Sequence, residues 1–180
     1  MTRREHRYVM TGGPGAGKTT LLRALSAAGH AVMPEAGRSI IRAQRAIDGP
    51  ALPWRDRTLF AELMLAFDMR SHDEAQASET PVFFDRGVPD TLGYLRLCGL
   101  RVPDHLTEAA RHVRYAPIVF VAPPWREIYR QDEERRQDFG EAQRTYEAVT
   151  ASYRDLGYEL AELPRGDVAS RVAYVLERAF

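Results

Sequence analysis

The strongest chemical signal in the sequence is one continuous run, Gly12-Gly13-Pro14-Gly15-Ala16-Gly17-Lys18-Thr19. It fits the pattern G-x-x-x-x-G-K-[ST] without mismatch. It also stands where that pattern is meaningful, after a short apolar run and before a helical one. Glycines let a backbone wrap a phosphate with its N–H groups turned inward, and the N-terminus of the next helix adds partial positive charge. A lysine closing such a loop reaches β- and γ-phosphates, and a threonine hydroxyl is a suitable ligand for Mg²⁺. The expected nucleotide-binding set is therefore Gly12, Gly13, Pro14, Gly15, Ala16, Gly17, Lys18, Thr19 and Thr20, with ATP and Mg²⁺ as the expected cofactors. Lys18 is the only lysine in a chain of 24 arginines and no asparagine. A GC-rich genome would produce that bias, and it has left this one position as lysine.

A second group of candidates lies further along. Asp85 ends an apolar run and is followed by Arg86. It would bind Mg²⁺ or help deprotonate an acceptor; the plain alternative is an N-cap for the segment from 88 onward. Arg86 would touch phosphates or acceptor, or pair with Asp85 or Asp90. Asp90 would cap the next helix or hold Arg86. Glu35 is the preferred general base, since an attacking hydroxyl needs a carboxylate within hydrogen-bond reach. Its alternative is a first-turn carboxylate favoured by the helix dipole. Arg38, one turn on, could hold Glu35 or an acceptor anion. Arg126 and Arg130 are expected to meet the transferring phosphoryl group, with Arg135 or Arg136 as substitutes. The same mixed-sign run also reads as a solvated helix face. Trp54 could stack on an acceptor or pack on the following helix, and Cys98 reads as a small buried hydrophobe.

These residues need a scaffold, and the pattern supplies one. Apolar runs at 6–11, 30–33, 82–85, 118–122 and 158–163 read as short strands. Helical periods are expected at 18–28, 36–47, 57–77, 90–98, 104–113, 125–156 and 166–179. Phe60, Leu63, Met64 and Phe67 form an apolar stripe. Alternating strands and helices imply an α/β fold with a five-stranded parallel sheet and helices on both faces. The segments after the strands then gather on one edge, where ligands bind. That edge collects 12–19, Glu35, Asp85-Arg86, the segment after Pro124 and Arg165-Gly166-Asp167.

Composition narrows the class. The chain has 180 residues, 44% hydrophobic and 28% charged, with 25 basic and 25 acidic side chains. A single domain spanning 1–180 is expected, with a lid at about 125–145. Balanced charge argues against a general nucleic-acid binder. One cysteine excludes an intrachain disulfide and a thiolate zinc site. No apolar run approaches a membrane span, so the expected address is cytoplasmic, with no membrane partner. The guanine-reading Asn/Thr-Lys-x-Asp motif cannot exist without asparagine or a second lysine. Transporter and protein-kinase signatures are absent, and so is the asparagine sensor of ring-forming motors.

The Asp85-Arg86-Gly87 motif, Glu35 after the second strand and the arginine-rich run together resemble thymidylate and deoxynucleoside kinases. More narrowly, GGPGAGKTT, PEAGR, FFDRGVPDTLGY and the run Tyr129 to Arg136 resemble a family of small ATPases with an AAA-type label. That family is allied to the nicotinamide riboside kinase domain of the NadR type. The resemblance covers most of the chain. It implies a three-layer P-loop NTPase fold with a helical, arginine-bearing lid, and ATP- and Mg²⁺-dependent phosphoryl transfer to a small, nucleoside-like acceptor. A nucleotide-dependent switch, or a stand-alone ATPase acting through a protein partner, is the alternative. The acceptor and the oligomeric state stay open.

Overall fold

The computed structural model describes residues 6–129 and 138–180. Its core is a five-stranded sheet built from β1 (Arg7–Gly12), β2 (Ala31–Met33), β3 (Val82–Asp85), β4 (Ile118–Ala122) and β5 (Glu159–Glu162). The order is β2-β3-β1-β4-β5, and every neighbouring pair is parallel. Helices are α1 (Lys18–Ala27), α2 (Ala36–Ala46), α3 (Arg57–Glu74), α4 (Val88–Leu97), α5 (Asp104–His112), α6 (Phe139–Asp155) and α7 (Val168–Ala179).

The three layers follow from the period-two alternation of side chains along each strand. Val9, Val82, Phe84, Val119 and Val121 face one way, into a core shared with α3, α4, α5 and Tyr153 of α6. Tyr8, Met10, Phe83, Phe120 and Ala122 face the other way, against Leu21, Leu22 and Leu25 of α1 and Val175 of α7. Central strands covered on both faces must be apolar on both, which is why their sequences read as continuous rather than alternating runs. A third, smaller cluster joins α2 to α3 through Ile40, Phe60 and Met64. Among the described residues no helix is long and apolar enough to cross a membrane.

All five strands and the α/β class agree with the sequence reading, with boundaries moved by a residue or so. Four helices differ more. Helical geometry in the third ends at Glu74 and tightens into a 3₁₀ turn, Ala75–Ala77. The fourth begins at Val88, two residues early, because Pro89 sits in the first turn, where its missing N–H costs nothing. The stretch 125–156 is not one helix. A turn follows Trp125, and α6 starts only at Phe139, where the Asp138 carboxylate accepts the Glu141 N–H at 2.7 Å. Asp167 does the same for Ser170 at 2.7 Å, so α7 starts at Val168 rather than 166. Both are local capping signals that override the apolar periodicity. Arg130, Arg135 and Arg136 lie outside the described residues, as does the middle of the expected lid, 130–137.

Candidate active site

The parallel sheet brings the C-terminal ends of its strands to one edge, and β1 sits there between β3 and β4. The loop after β1 is pressed closely by its surroundings. A Cβ on Gly13 would lie 2.5 Å from the backbone oxygen of Ala142 in α6. One on Gly15, whose φ is +70°, would lie 2.6 Å from the ring of Tyr129. Only glycine fits at either position. The loop is thus held between α6 and Tyr129.

Lys18 is the first residue of α1 and is 4% exposed. Its ammonium donates to the carbonyls of Gly13 at 2.8 Å and Gly12 at 3.3 Å. Those bonds pin the charge at the mouth of the loop. Thr19 and Thr20 are exposed beside it. The loop, Glu35, Arg38, Trp125, Tyr129, Gly166, Asp167 and Arg171 line one cleft of about 400 Å³.

Glu35 occupies the N-cap position of α2, yet its side chain makes no cap hydrogen bond. The carboxylate instead faces Arg86 Nε at 3.4 Å and Arg38 Nε at 3.7 Å. Glu35 is thus an ion-paired carboxylate on the cleft wall, at the N-cap position of α2 rather than in its first turn. Asp85, the last residue of β3, is 7% exposed, and it is not a helix cap: Gly87 takes that position. Arg86 has φ +74°, a left-handed conformation that a non-glycine residue holds only under constraint.

That constraint comes largely from Asp90. This carboxylate is 2% exposed. One oxygen accepts from the Thr11 hydroxyl and from Arg86 Nη1, the latter at 2.8 Å. The other accepts from the Gly87 N–H at 3.1 Å and the Tyr153 hydroxyl at 2.6 Å. Both sequence readings of Asp90 hold together: it caps α4 and it holds Arg86. It also ties α6 to the strand that enters the phosphate loop. Burial works against the Arg86 charge, but Asp90, Glu35 and Asp85 outweigh it and raise the guanidinium pKa above its ordinary value.

Two residues of this edge have no counterpart among the sequence candidates. Asp68, in the middle of α3, is 5% exposed. Burial, then Asp90, Glu35 and Asp85, push its carboxyl well above the usual carboxylate range, against the opposing pull of Arg86. Its signal was an acid on the apolar row Phe60, Met64, Asp68, each four residues apart. Arg171, on α7, donates from Nη2 to the Ala16 carbonyl at 3.2 Å and sits 5.9 Å from the Trp125 ring. Burial lowers its pKa. Nothing local marks it, because its partners are 155 and 46 residues away in sequence.

The remaining expectations fall away from the cleft. Arg126 is exposed and stacks over Phe139, 4.5 Å from its centroid. Tyr129 meets the same ring at 5.6 Å. Trp54 is 59% exposed, and Cys98 is half-buried rather than buried. Arg165 is bonded to the Pro124 carbonyl at 3.2 Å. For Mg²⁺ the available donors are hard oxygens, the Thr19 hydroxyl and the Asp85 carboxylate, which fit the ion's preference. No group of three or more His, Cys, Asp or Glu able to hold a metal occurs among the described residues.

The AAA domain family matches residues 7–171. No curated protein matches the sequence. Solved structures do match the fold. A deoxyadenosine kinase from M. mycoides has a TM-score of 0.66 at 15% identity, over 96% of this chain and 97% of its own. A thymidylate kinase from Ehrlichia chaffeensis has a TM-score of 0.64 at 15% identity, over 97% of each chain. A NadR protein in complex with NR has a TM-score of 0.66 at 20% identity, over 97% of this chain but 51% of that one. The fold is that of P-loop kinases, in three layers.

Proposed function

The chain belongs to the AAA domain family, and we propose that it acts there as a small-molecule kinase, moving the γ-phosphoryl group of ATP to a nucleoside-like acceptor. The observation that carries this reading is the shared cleft. Glu35 and Arg38 line the same cavity as the phosphate loop, so a carboxylate faces the mouth where the γ-phosphate would end. Four features support ATP binding: the glycine cradle, the α1 N-terminus, Lys18 and the exposed Thr19.

The roles follow from position. The loop N–H groups and the helix end hold the phosphates. Lys18 exchanges its two carbonyl partners for phosphate oxygens. Thr19 and Asp85 would hold Mg²⁺, which, when bound, neutralises charge on the phosphates. Glu35 accepts the proton of the acceptor hydroxyl as its oxygen bonds to phosphorus and the bond to the ADP oxygen breaks. Arg86 and Arg38 orient Glu35. Positioning and charge neutralisation supply most of the acceleration in such transfers, and the base supplies less.

The test is ADP release from ATP·Mg²⁺, alone and against nucleosides, nucleotides, sugars and hydroxylated antibiotics. Strong stimulation by one compound supports the kinase and names its acceptor class. Tight nucleotide binding with no stimulation by any compound turns the reading to the switch or stand-alone ATPase.

A further inference from the structure

We infer that the acceptor end of this cleft takes a neutral or cationic hydroxyl-bearing molecule and discriminates against acceptors that carry phosphate or carboxylate, because its own carboxylates already engage both of its guanidinium groups. This rests on the kinase reading and narrows its substrate class.

An anionic acceptor is normally held by an arginine presenting two parallel N–H donors. Both arginines at this end face Glu35, and Arg86 is bound by Asp90 as well. Arg86 spends Nη1 on Asp90 at 2.8 Å and turns Nε to Glu35 at 3.4 Å, with its side chain 12% exposed. Arg38 turns Nε to the same Glu35 at 3.7 Å. Swinging Arg86 to a phosphate would strand Asp90, whose burial leaves water no access.

The balance of charge points the same way. Among the described residues, Glu35, Asp68, Asp85 and Asp90 surround Arg86, with Arg38 beside Glu35. Asp68 is 5% exposed, and its charged neighbours are all members of this group. Burial first, and then Asp90, Glu35 and Asp85, favour the protonated form of Asp68 although Arg86 is close. A further anion would add to an unfavourable field, whereas a neutral hydroxyl or a cationic ring would not.

The experiment is calorimetric titration of the protein saturated with AMP-PNP·Mg²⁺. The probes are matched pairs: deoxyadenosine with its 5′-monophosphate, deoxycytidine with its 5′-monophosphate, thymidine with its 5′-monophosphate, and a pyridinium nucleoside as cationic probe. ADP release with ATP is read in parallel for every compound. At least one nucleoside is expected to bind about tenfold or more tightly than its own monophosphate. Glu35→Gln, which removes one negative charge, should narrow that ratio. A monophosphate that binds as tightly as its nucleoside overturns the inference. If that monophosphate also stimulates ADP release, the kinase reading survives. If no probe binds while AMP-PNP·Mg²⁺ does, and neither these probes nor the sugars and antibiotics of the wider panel stimulate ADP release, the kinase reading fails and the inference with it.

Discussion

Asp90→Asn isolates the group that holds Arg86 in its left-handed conformation. The substitution keeps the shape and removes the charge. Asp90 accepts four hydrogen bonds, from Thr11, Arg86, Gly87 and Tyr153. An asparagine oxygen can accept two of them, and its NH₂ turns donors toward the other two. Breaking a buried ion pair by removing one partner costs about 3–5 kcal/mol. A domain of this size shifts by about 2–4 °C per kcal/mol, so the melting midpoint should fall by on the order of 6–20 °C. Tyr153→Phe deletes one hydrogen bond to a charged acceptor and should cost less, about 1.5–3 kcal/mol. Urea unfolding followed by circular dichroism gives both values, and ADP release gives the consequence for Arg86. Asp90→Asn within about 1 kcal/mol of wild type, well below the buried-pair range, would refute the account of Asp90. So would full turnover in that variant.

Asp68→Asn should change how stability depends on pH. Burial above all holds the Asp68 pKa above its ordinary value, so the native state binds this proton more tightly than the unfolded chain does. That contribution is whole below the ordinary carboxylate range and is lost as pH rises through the raised value. The variant should therefore gain on wild type as pH rises above the ordinary carboxylate range, by at most about 1.4 kcal/mol per pH unit. Parallel thermal-melt curves would contradict this. Gly13→Ala puts a methyl group 2.5 Å from the Ala142 oxygen, and overpacking of this kind costs about 1–3 kcal/mol. Thermal melts and nucleotide titration should show lower stability and weaker ATP binding together. Glu35→Gln should lower turnover by about 10²-fold, the low end for a general base, while ATP affinity, read by titration, stays near wild type.

The sequence carried the scaffold and the nucleotide end of the site, because both are written locally. Buried parallel strands are short apolar runs, and a phosphate loop is a contiguous pattern with one fixed lysine. Glu35, Asp85 and Arg86 were legible because each follows a strand, and parallel topology sends all such residues to one edge. What was missed is written across distance. The ties of Asp90 to Gly87 and Arg86 were legible, but its partners on β1 and α6, Thr11 and Tyr153, were not. Asp68 looks like a lapse in a core stripe until Arg86 is set against it. Arg171 reaches back from the last helix to the first loop. Arg126 was placed by analogy with a closing lid, whereas an adjacent aromatic ring, Phe139, offers its cation a nearer partner.

The central claim is that the γ-phosphoryl group leaves ATP for an organic acceptor and not for water. Mass spectrometry of the reaction with the best-stimulating acceptor tests it most directly, with Lys18→Ala run alongside. The account predicts a phosphorylated acceptor formed in step with ADP and lost in Lys18→Ala. ADP accompanied only by inorganic phosphate, whatever acceptor is supplied, would contradict it.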